Sequence, residues 1–337
     1  MVTSIHIYYH GQQDELLIDK ILPYLTACRN DQTIRNFFFL RYWNGGDHLR
    51  IRFYDAVDKA RMIDEITELL NDHVNTYPNT PQNAARYQAF ATEMQAFQEQ
   101  LGLVQLEKTE ALYNEVKIVE MPYHFEYHRY GRGAAQTISE SHFVFSSSFA
   151  FNLLKLTRGN MAARLTILID ICVMMVGVLD EGPQEIAKLF HEASKASTNI
   201  TATDSPVEEE FYANGLPDFT EQLPMLADII QRLQELLSNT SGEHLNNGIT
   251  AKITNISGQS TQVEKLLQQW QTELLTRKSA FKSIELPSKA SHILMTYLHL
   301  LVNRLGLGYV VERYIYYLVA NIIDYSTLDQ DHHVSTQ

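Results

Sequence analysis

The stretch NFFFLRYWNGGDHLRIRFY, residues 36–54, decides the fold of this chain. Two runs rich in aromatic and branched residues flank an Asn-Gly-Gly-Asp loop at 44–47, and this arrangement predicts a β-hairpin. In the second run, the two-residue period of a strand places Leu49, Ile51 and Phe53 on one face. That face is apolar and suits a hydrophobic core.

The opposite face of the second run is basic, because it carries His48, Arg50 and Arg52. Two arginines two residues apart repel each other unless an acidic group or an anionic ligand lies over them. Arginine is also suited to bidentate recognition of carboxylates, and Arg41 on the first run adds a third cation. A solvated sheet face, or arginines paired with glutamates of a neighbouring strand, would also explain the pattern.

The segments around the hairpin predict a split-βαβ, ferredoxin-like antiparallel sheet. Alternation predicts strands at 4–9 and 115–121, and helical spacing predicts helices at 14–28 and 58–76. A further helix, inserted at 83–101, is set off from the preceding one by two prolines.

After this sheet portion, 1–133, the pattern becomes helical. The predicted fold class is therefore α+β, with a mostly α-helical portion at 134–326 and a frayed tail at 327–337, all in one compact unit. The predicted helices of the second portion lie at 137–157, 160–179, 183–195, 219–238, 259–281, 288–305 and 307–325.

Composition limits the classes of function. A net charge of −13 opposes non-specific binding to nucleic acid, and the N-terminus has no secretory signal pattern. The longest apolar run, 165–179, is short for a membrane span and predicts a buried core helix. Cys28 and Cys172 lack the spacing of a disulfide framework, which fits a reducing compartment. These features predict a cytoplasmic protein.

A second polar segment, YHFEYHRYGR at 123–132, directly follows the last predicted strand. Loops at the end of a strand commonly carry ligand sites, which makes Glu126, Arg129 and Tyr130 candidates. Glu126 and Arg129 would instead be structural if they only paired with each other. The glycines of this segment fit neither a Walker motif nor a dinucleotide fingerprint, so no phosphate-binding cofactor is predicted.

The third segment, HILMTYLHLLVNRLGLG at 292–308, predicts a helix that is buried on most sides. His299 and Asn303 are four residues apart and share a stripe, and Arg304 follows them. A buried imidazole needs a polar partner, and a histidine in such a place can act as an acid or base near neutral pH. The alternative is a core histidine that donates to a backbone carbonyl. No metal site is predicted around His299.

Taken together, these three segments resemble the C-terminal domain of lantibiotic dehydratases and related stand-alone thiopeptide-biosynthesis proteins. FFFLRYWNGGDHLRIRF is similar to the family's aromatic, Arg-Tyr, turn and His-Leu-Arg-Leu-Arg pattern. FEYHRYGR, followed by ISESHFVFSSS, resembles its Glu-x-x-Arg-Tyr-Gly-Gly and Glu-x-x-Phe segments, and LHLLVNRLGL its Leu-His-Met-x-x-Asn-Arg-Leu helix. The chain departs from the pattern at Arg132, Ser146 and Leu301, where the family has Gly, Asp and His.

The resemblance implies an elimination that yields dehydroalanine or dehydrobutyrine. A partner in the tRNA-Glu-dependent dehydratase system esterifies a Ser or Thr of a precursor peptide with glutamate, and this domain removes the α-proton and expels glutamate. By the same resemblance, one or both of Arg50 and Arg52, together with Arg129, would hold carboxylate and carbonyl groups of the glutamyl ester, and His299 would be the acid or base. Further substrate-binding candidates are Arg41, His48, Glu126, Tyr130, Asn303 and Arg304. No cofactor is implied.

Two other functions stay open. A pyridine-forming cycloaddition enzyme of thiopeptide pathways shares the implied scaffold. A non-catalytic partner would bind a leader peptide by pairing it with the sheet edge at 4–9 or 115–121, or would dock a glutamylating subunit. The predicted partners are thus the precursor peptide and a glutamylating dehydratase subunit, without membrane or direct nucleic-acid contact, and a homodimer is left open.

Overall fold

The structure is a computed structural model, and it describes residues 2–42, 47–79, 115–179, 181–195, 229–231 and 260–334. Contacts divide the chain into two compact units. The first unit consists of Met1–Lys155 with Asn303–Gly306, and the second of Leu156–Val302 with Leu307–Gln337.

The first unit is built on a four-stranded antiparallel sheet. Its order is β2-β3-β1-β4, which is the ferredoxin-like order that the sequence predicts. The hairpin lies at one side of the sheet, and the N-terminal strand lies between the hairpin and the last strand. The strands are β1 (Val2–Tyr8), β2 (Asn36–Tyr42), β3 (His48–Tyr54) and β4 (Lys117–Glu120).

Helices follow the strands of the first unit as predicted. Those predicted at 14–28 and 58–76 are confirmed, whereas the helix predicted at 83–101 lies outside the described residues. Asp58 caps the second of them by accepting a hydrogen bond from the backbone N–H of Arg61 at 3.0 Å. The helical segments are α1 (Gln13–Leu16), a π-helical turn (Leu17–Ile21), α2 (Leu22–Asn30), α3 (Lys59–Thr76), α4 (Tyr127–Tyr130) and α5 (Ala134–Leu156).

The core of the first unit forms where apolar stripes of α1–α3 meet the apolar face of the sheet. Alternate residues of β1 and β3 are fully excluded from solvent, as the two-residue period requires. The helices contribute side chains at helical spacing. The buried residues are Ile5, Ile7, Leu49, Ile51, Phe53, Leu16, Leu17, Ile21, Leu25, Met62, Ile66 and Leu70.

The second unit is helical in the residues that are described. Lys278 donates to the carbonyls of Val178 and Leu179 at 2.8 and 2.9 Å. These carbonyls lie at the C-terminal end of a different helix, where the helix itself provides no hydrogen-bond donors for them. The last helix runs beyond its predicted end at 325, and of the helix predicted at 219–238 only 229–231 is described. The helices are α6 (Met161–Leu179), α7 (Pro183–Lys195), α8 (Ser260–Phe281), α9 (Ala290–Arg304) and α10 (Tyr309–Val334).

Helix α6 begins at Met161, before the apolar run at 165–179, and is therefore long and apolar enough to cross a membrane by length and composition. The prediction that this segment is short for a membrane span considered only the apolar run at 165–179, and it was wrong for the whole helix. Yet 67% of its most apolar window is buried inside the protein, as in the core helix of a soluble protein. Cys172 on this helix is a buried free thiol, as is Cys28.

Candidate functional site

The predicted basic face of β3 is present in the first unit. Because the three apolar residues of β3 are fully buried on the core side, His48, Arg50 and Arg52 share the opposite face. In the antiparallel register, Tyr8 of β1 lies opposite His48, and His6 lies opposite Arg50. Two imidazoles therefore stand beside the two guanidinium groups.

Aromatic rings hold Arg50 in place. Its Cζ lies 3.3 Å from the centroid of the Tyr42 ring, and its Nε donates to Nε2 of His48 at 3.1 Å. An imidazole nitrogen that accepts this bond carries no proton, so His48 is neutral in this arrangement. The His48 ring packs 4.7 Å from His6 and 4.5 Å from Tyr8.

Arg52 is a buried cation, with only 8% of its surface exposed. Its Cζ lies 4.9 and 5.4 Å from the ring centroids of Tyr123 and Phe38, and its Nε has no hydrogen-bond partner among the described residues. Burial, reinforced by Arg50, lowers the pKa of Arg52 to about 10, although Tyr123 and Glu126 favour the charged form. A solvated sheet face is therefore the wrong explanation for Arg52.

His6 completes the face as a neutral group. Burial lowers the pKa of His6 to about 2, and the positive charges of Arg50 and Arg52 act in the same direction. Nδ1 of His6 and the hydroxyl of Ser4 both lack a hydrogen-bond partner among the described residues. The face therefore combines guanidinium charge with unused hydrogen-bonding capacity, which suits a polar, anionic ligand.

In the 123–132 segment, Glu126 directly precedes the short helix α4 and Arg129 lies within it. Arg129 forms an ion pair with Glu126, with Nη1 and Oε2 3.1 Å apart, as the structural alternative for this segment predicts. Burial opposes the charge of Arg129, but Glu126 and Tyr130 outweigh it and raise the pKa of Arg129. Both side chains of the pair remain about half exposed, at 45% and 49%. They are thus paired with each other and still open to solvent.

Arg41 and Asn303 lie at the outer edge of β2 and satisfy each other. The Asn303 side chain accepts from the backbone N–H of Arg41 and donates to its carbonyl, both at 2.9 Å. The Arg41 guanidinium bonds to Asp14 and Gln13. Gly306, at φ 67°, leaves room for that guanidinium, because a Cβ there would lie 2.9 Å from Cζ of Arg41.

Arg304 is fully buried at the same edge. Its Nε donates to the carbonyl of Phe39 at 2.9 Å and to Ser147 at 3.1 Å, and its Nη1 donates to Ser146 at 3.1 Å. Burial lowers the pKa of Arg304 to about 9. These contacts are structural, and a role in substrate binding for Arg41, Asn303 or Arg304 stays a prediction.

His299 belongs to the second unit, on α9. The expectation of a buried imidazole was wrong, because 48% of this side chain is exposed although Leu298 and Leu301 on the same helix are buried. The partner that the structure describes for Nδ1 is a carboxylate rather than a backbone carbonyl. Nδ1 lies 2.9 and 3.1 Å from the two carboxylate oxygens of Glu312, and Tyr316 donates to that carboxylate at 2.8 Å.

Glu312 and Tyr316 are the residues that the sequence reasoning missed. Glu312 lies in the first turn of α10, thirteen residues after His299, where spacing along the chain predicts no contact. The available signal was a single carboxylate among the apolar residues of YVVERYIYYLVANII. Within the described ranges, no three His, Cys, Asp or Glu side chains are grouped as a metal site.

Comparisons with known proteins agree with the fold. The family model described as lantibiotic biosynthesis dehydratase C-term matches residues 3–323. The solved structure described as "Pyridine synthase, TbtD, from thiomuracin biosynthesis" superposes with a TM-score of 0.67 at 17% identity, covering 97% of this chain and 99% of that one. TsrL gives a TM-score of 0.55 at 14% identity, over 97% and 95% of the two chains.

A third structure, the tRNA-dependent lantibiotic dehydratase MibB from Microbispora sp. 107891, superposes with a TM-score of 0.50 at 17% identity. It matches 98% of this chain, but this chain covers only 28% of MibB. A search of curated sequences gave no match. At these identities the superpositions establish a shared fold.

Proposed function

The chain belongs to the lantibiotic biosynthesis dehydratase C-terminal family, and on that premise we propose that it is a lyase of peptide modification. It removes glutamate from glutamylated Ser or Thr residues of a precursor peptide and leaves dehydroamino acids. Its place is the cytoplasm, where aminoacyl-tRNA for the glutamylation step is available.

The observation that carries this proposal is the basic face of β3. Arg52 is charged, buried and incompletely hydrogen-bonded, and Arg50 lies beside it, over the Tyr42 ring and hydrogen-bonded to His48. Elimination releases a carboxylate as the leaving group, and guanidinium groups in a site of low dielectric stabilise the negative charge that develops on it. Arg129, open to solvent beside Glu126, is a further candidate for holding the ester.

The proton chemistry is assigned to His299. The α-proton of an esterified serine is weakly acidic because only an amide carbonyl stabilises the resulting carbanion, so the reaction needs a positioned base. His299 is half exposed and hydrogen-bonded to a carboxylate, as a histidine that exchanges protons with a substrate requires. No cofactor is needed for this chemistry.

The family relationship supports two partners. MibB is described as a tRNA-dependent lantibiotic dehydratase, which supports a glutamylating dehydratase subunit as one partner in the proposed function. The substrate would be the glutamylated precursor peptide that this subunit releases.

A second candidate function is pyridine formation, in which two dehydroalanines are joined and the leader peptide is expelled. The full-length superposition on TbtD, over 97% and 99% of the two chains, supports it. We place it second because the buried guanidinium charge on β3 suits a carboxylate leaving group. A non-catalytic peptide-binding role is the third candidate.

The proposal is tested by incubating the purified chain with a glutamylated peptide and following the products by mass spectrometry. Loss of glutamate and formation of a dehydroamino acid are expected for the wild type and not for Arg52→Met or His299→Gln. Arg35→Met is the matched control, because Arg35 is an exposed arginine of the same unit that pairs with Asp55.

The other candidates predict different products. An unreacted ester, together with a trithiazolyl pyridine formed from a dehydrated peptide, would assign the chain to the cycloaddition enzymes. Peptide binding without chemical change in either assay would support the non-catalytic role.

A further inference from the structure

Glu312 of α10 is a buried carboxylate, with 8% of its side chain exposed, and it faces the imidazole of His299. Both of its oxygens lie within hydrogen-bond distance of Nδ1. An ionised carboxylate can only accept a hydrogen bond, so the proton between the two groups belongs to the imidazole. The neutral His299 ring therefore carries its proton on Nδ1, and its other nitrogen, Nε2, holds a lone pair.

Tyr316 fixes the carboxylate in turn. It lies one helical turn after Glu312, is buried, and donates its hydroxyl to Oε1 at 2.8 Å. Burial, together with the charge of Glu312, raises the pKa of Tyr316, so the phenol keeps its proton and remains a donor. The chain of contacts thus runs from a buried phenol through a buried carboxylate to a half-exposed imidazole.

From this geometry we infer that Glu312 is a positioning residue for the proposed elimination. It holds His299 as the Nδ1–H tautomer, so that Nε2 is the nitrogen that takes the α-proton, and it stabilises the imidazolium that results. Tyr316 supports it by fixing the carboxylate. This inference rests on the role proposed for His299, but the tautomer itself is a property of the free protein. Ligand histidines and catalytic histidines elsewhere depend on such carboxylates in the same way.

The same unit offers a matched control. Asp324, also on α10, lies 2.8 Å from Nε2 of His191, which is another short contact between a carboxylate and a histidine. This pair is exposed at 28% and 49%, whereas the carboxylate of the His299 pair is buried. If the loss of any His–carboxylate pair lowered turnover, Asp324→Asn would lower it as well. If the effect depends on His299, Asp324→Asn will leave turnover unchanged.

The first measurement needs no substrate. Nitrogen NMR of protein labelled with ¹⁵N-histidine distinguishes the two ring tautomers, and the His299 signals are assigned by their loss in His299→Gln. The wild type is expected to show the proton on Nδ1. In Glu312→Gln, the amide can turn its NH₂ group toward Nδ1, which moves the ring proton to Nε2. Asp324→Asn is expected to leave the His299 signals unchanged.

The second measurement is elimination kinetics on the glutamylated peptide. Glu312→Gln is expected to lower kcat by about 100-fold with little change in KM, because the lone pair of Nε2 is lost while binding is not. Tyr316→Phe keeps the carboxylate and is expected to lower kcat by only about threefold to tenfold. Asp324→Asn is expected to retain wild-type turnover, and thermal unfolding checks that each variant is folded.

An Nε2–H tautomer in the wild type, or a Glu312→Gln variant with unchanged tautomer and turnover, overturns the inference. Failure of the proposed function looks different. Turnover that survives in His299→Gln removes the role of His299 in catalysis and with it the catalytic consequence for Glu312. In that case the NMR measurement still decides whether Glu312 sets the tautomer of the ring.

Discussion

The outer edge of β2 and the basic face of β3 carry similar side chains but use them in opposite ways. At the edge, Asn303 and Arg304 form hydrogen bonds to backbone groups of Phe39 and Arg41 and to two serine hydroxyls, and of the guanidinium of Arg304 only Nη2 lacks a partner among the described residues. On the face, Nε of Arg52 is buried without a partner among the described residues.

This difference separates structural from functional residues more sharply than residue type does. A buried polar group with its partners in place stabilises the fold, whereas a buried polar group without partners costs free energy unless a ligand completes it. The edge is therefore expected to matter for folding and the face for binding. Four substitutions test that separation.

The largest effect is expected from Arg304→Ala at the edge. It removes the donors that serve the carbonyl of Phe39 and the hydroxyls of Ser146 and Ser147, and it leaves a cavity. The free energy of unfolding should fall by about 2–4 kcal/mol, measured by urea denaturation. A decrease in the free energy of unfolding of less than about 1 kcal/mol would mean that the contacts of Arg304 at this edge contribute little to stability.

Arg52→Met tests the face. It removes a desolvated charge and keeps an unbranched side chain between the rings of Phe38 and Tyr123. Turnover of the glutamylated peptide should fall by about 100-fold, while the denaturation midpoint should not fall. The comparison fails if this variant loses as much stability as Arg304→Ala.

The substitution His6→Phe tests how the buried imidazole of the face makes the stability of the protein depend on pH. The pKa of His6 is about 2 in the folded protein, against 6.5 as its ordinary value, so below pH 6.5 only the unfolded chain binds the proton. Stability is then lost as pH falls through 6.5, and no such loss occurs above it. Between pH 7 and pH 5, the fall in unfolding free energy should be shallower by about 2 kcal/mol in His6→Phe than in the wild type. Parallel pH profiles would exclude this role.

The smallest effect is expected from Ser146→Asp at the edge. Ser146 accepts from Nη1 of Arg304, whose charge is fully buried and whose pKa is lowered by that burial. A carboxylate at 146, the residue type that the family pattern has there, would give this cation a counterion and should raise the free energy of unfolding by about 1–2 kcal/mol. Destabilisation would indicate that desolvating the new carboxylate outweighs the attraction.

The sheet could be predicted because its signals are local. Strand alternation in 36–54 assigned the core face and the basic face of β3 correctly, and the turn residues located the hairpin. The ferredoxin-like strand order followed from the sequence of elements, and the structure confirms it.

The contacts of the candidate residues could not be predicted, because they join distant parts of the chain. Asn303 meets Arg41 across 262 positions, and nothing in either segment indicates that β2 needs its edge filled. Hydropathy placed His299 inside a core because it averages over a helix, whereas the His299 side chain is half exposed beside Glu312. Whether the other candidates bind substrate stays a prediction.

The filled edge of β2 also bears on how this protein avoids association with itself. An exposed edge strand offers a row of backbone donors and acceptors on which another chain can add a strand and start a fibril. The carboxamide of Asn303 satisfies both the N–H and the carbonyl of Arg41, as a neighbouring strand would, and the guanidinium of Arg304 donates to the carbonyl of Phe39. Two side chains thus block strand addition at these residues without an extra strand, which protects the hairpin from templated aggregation.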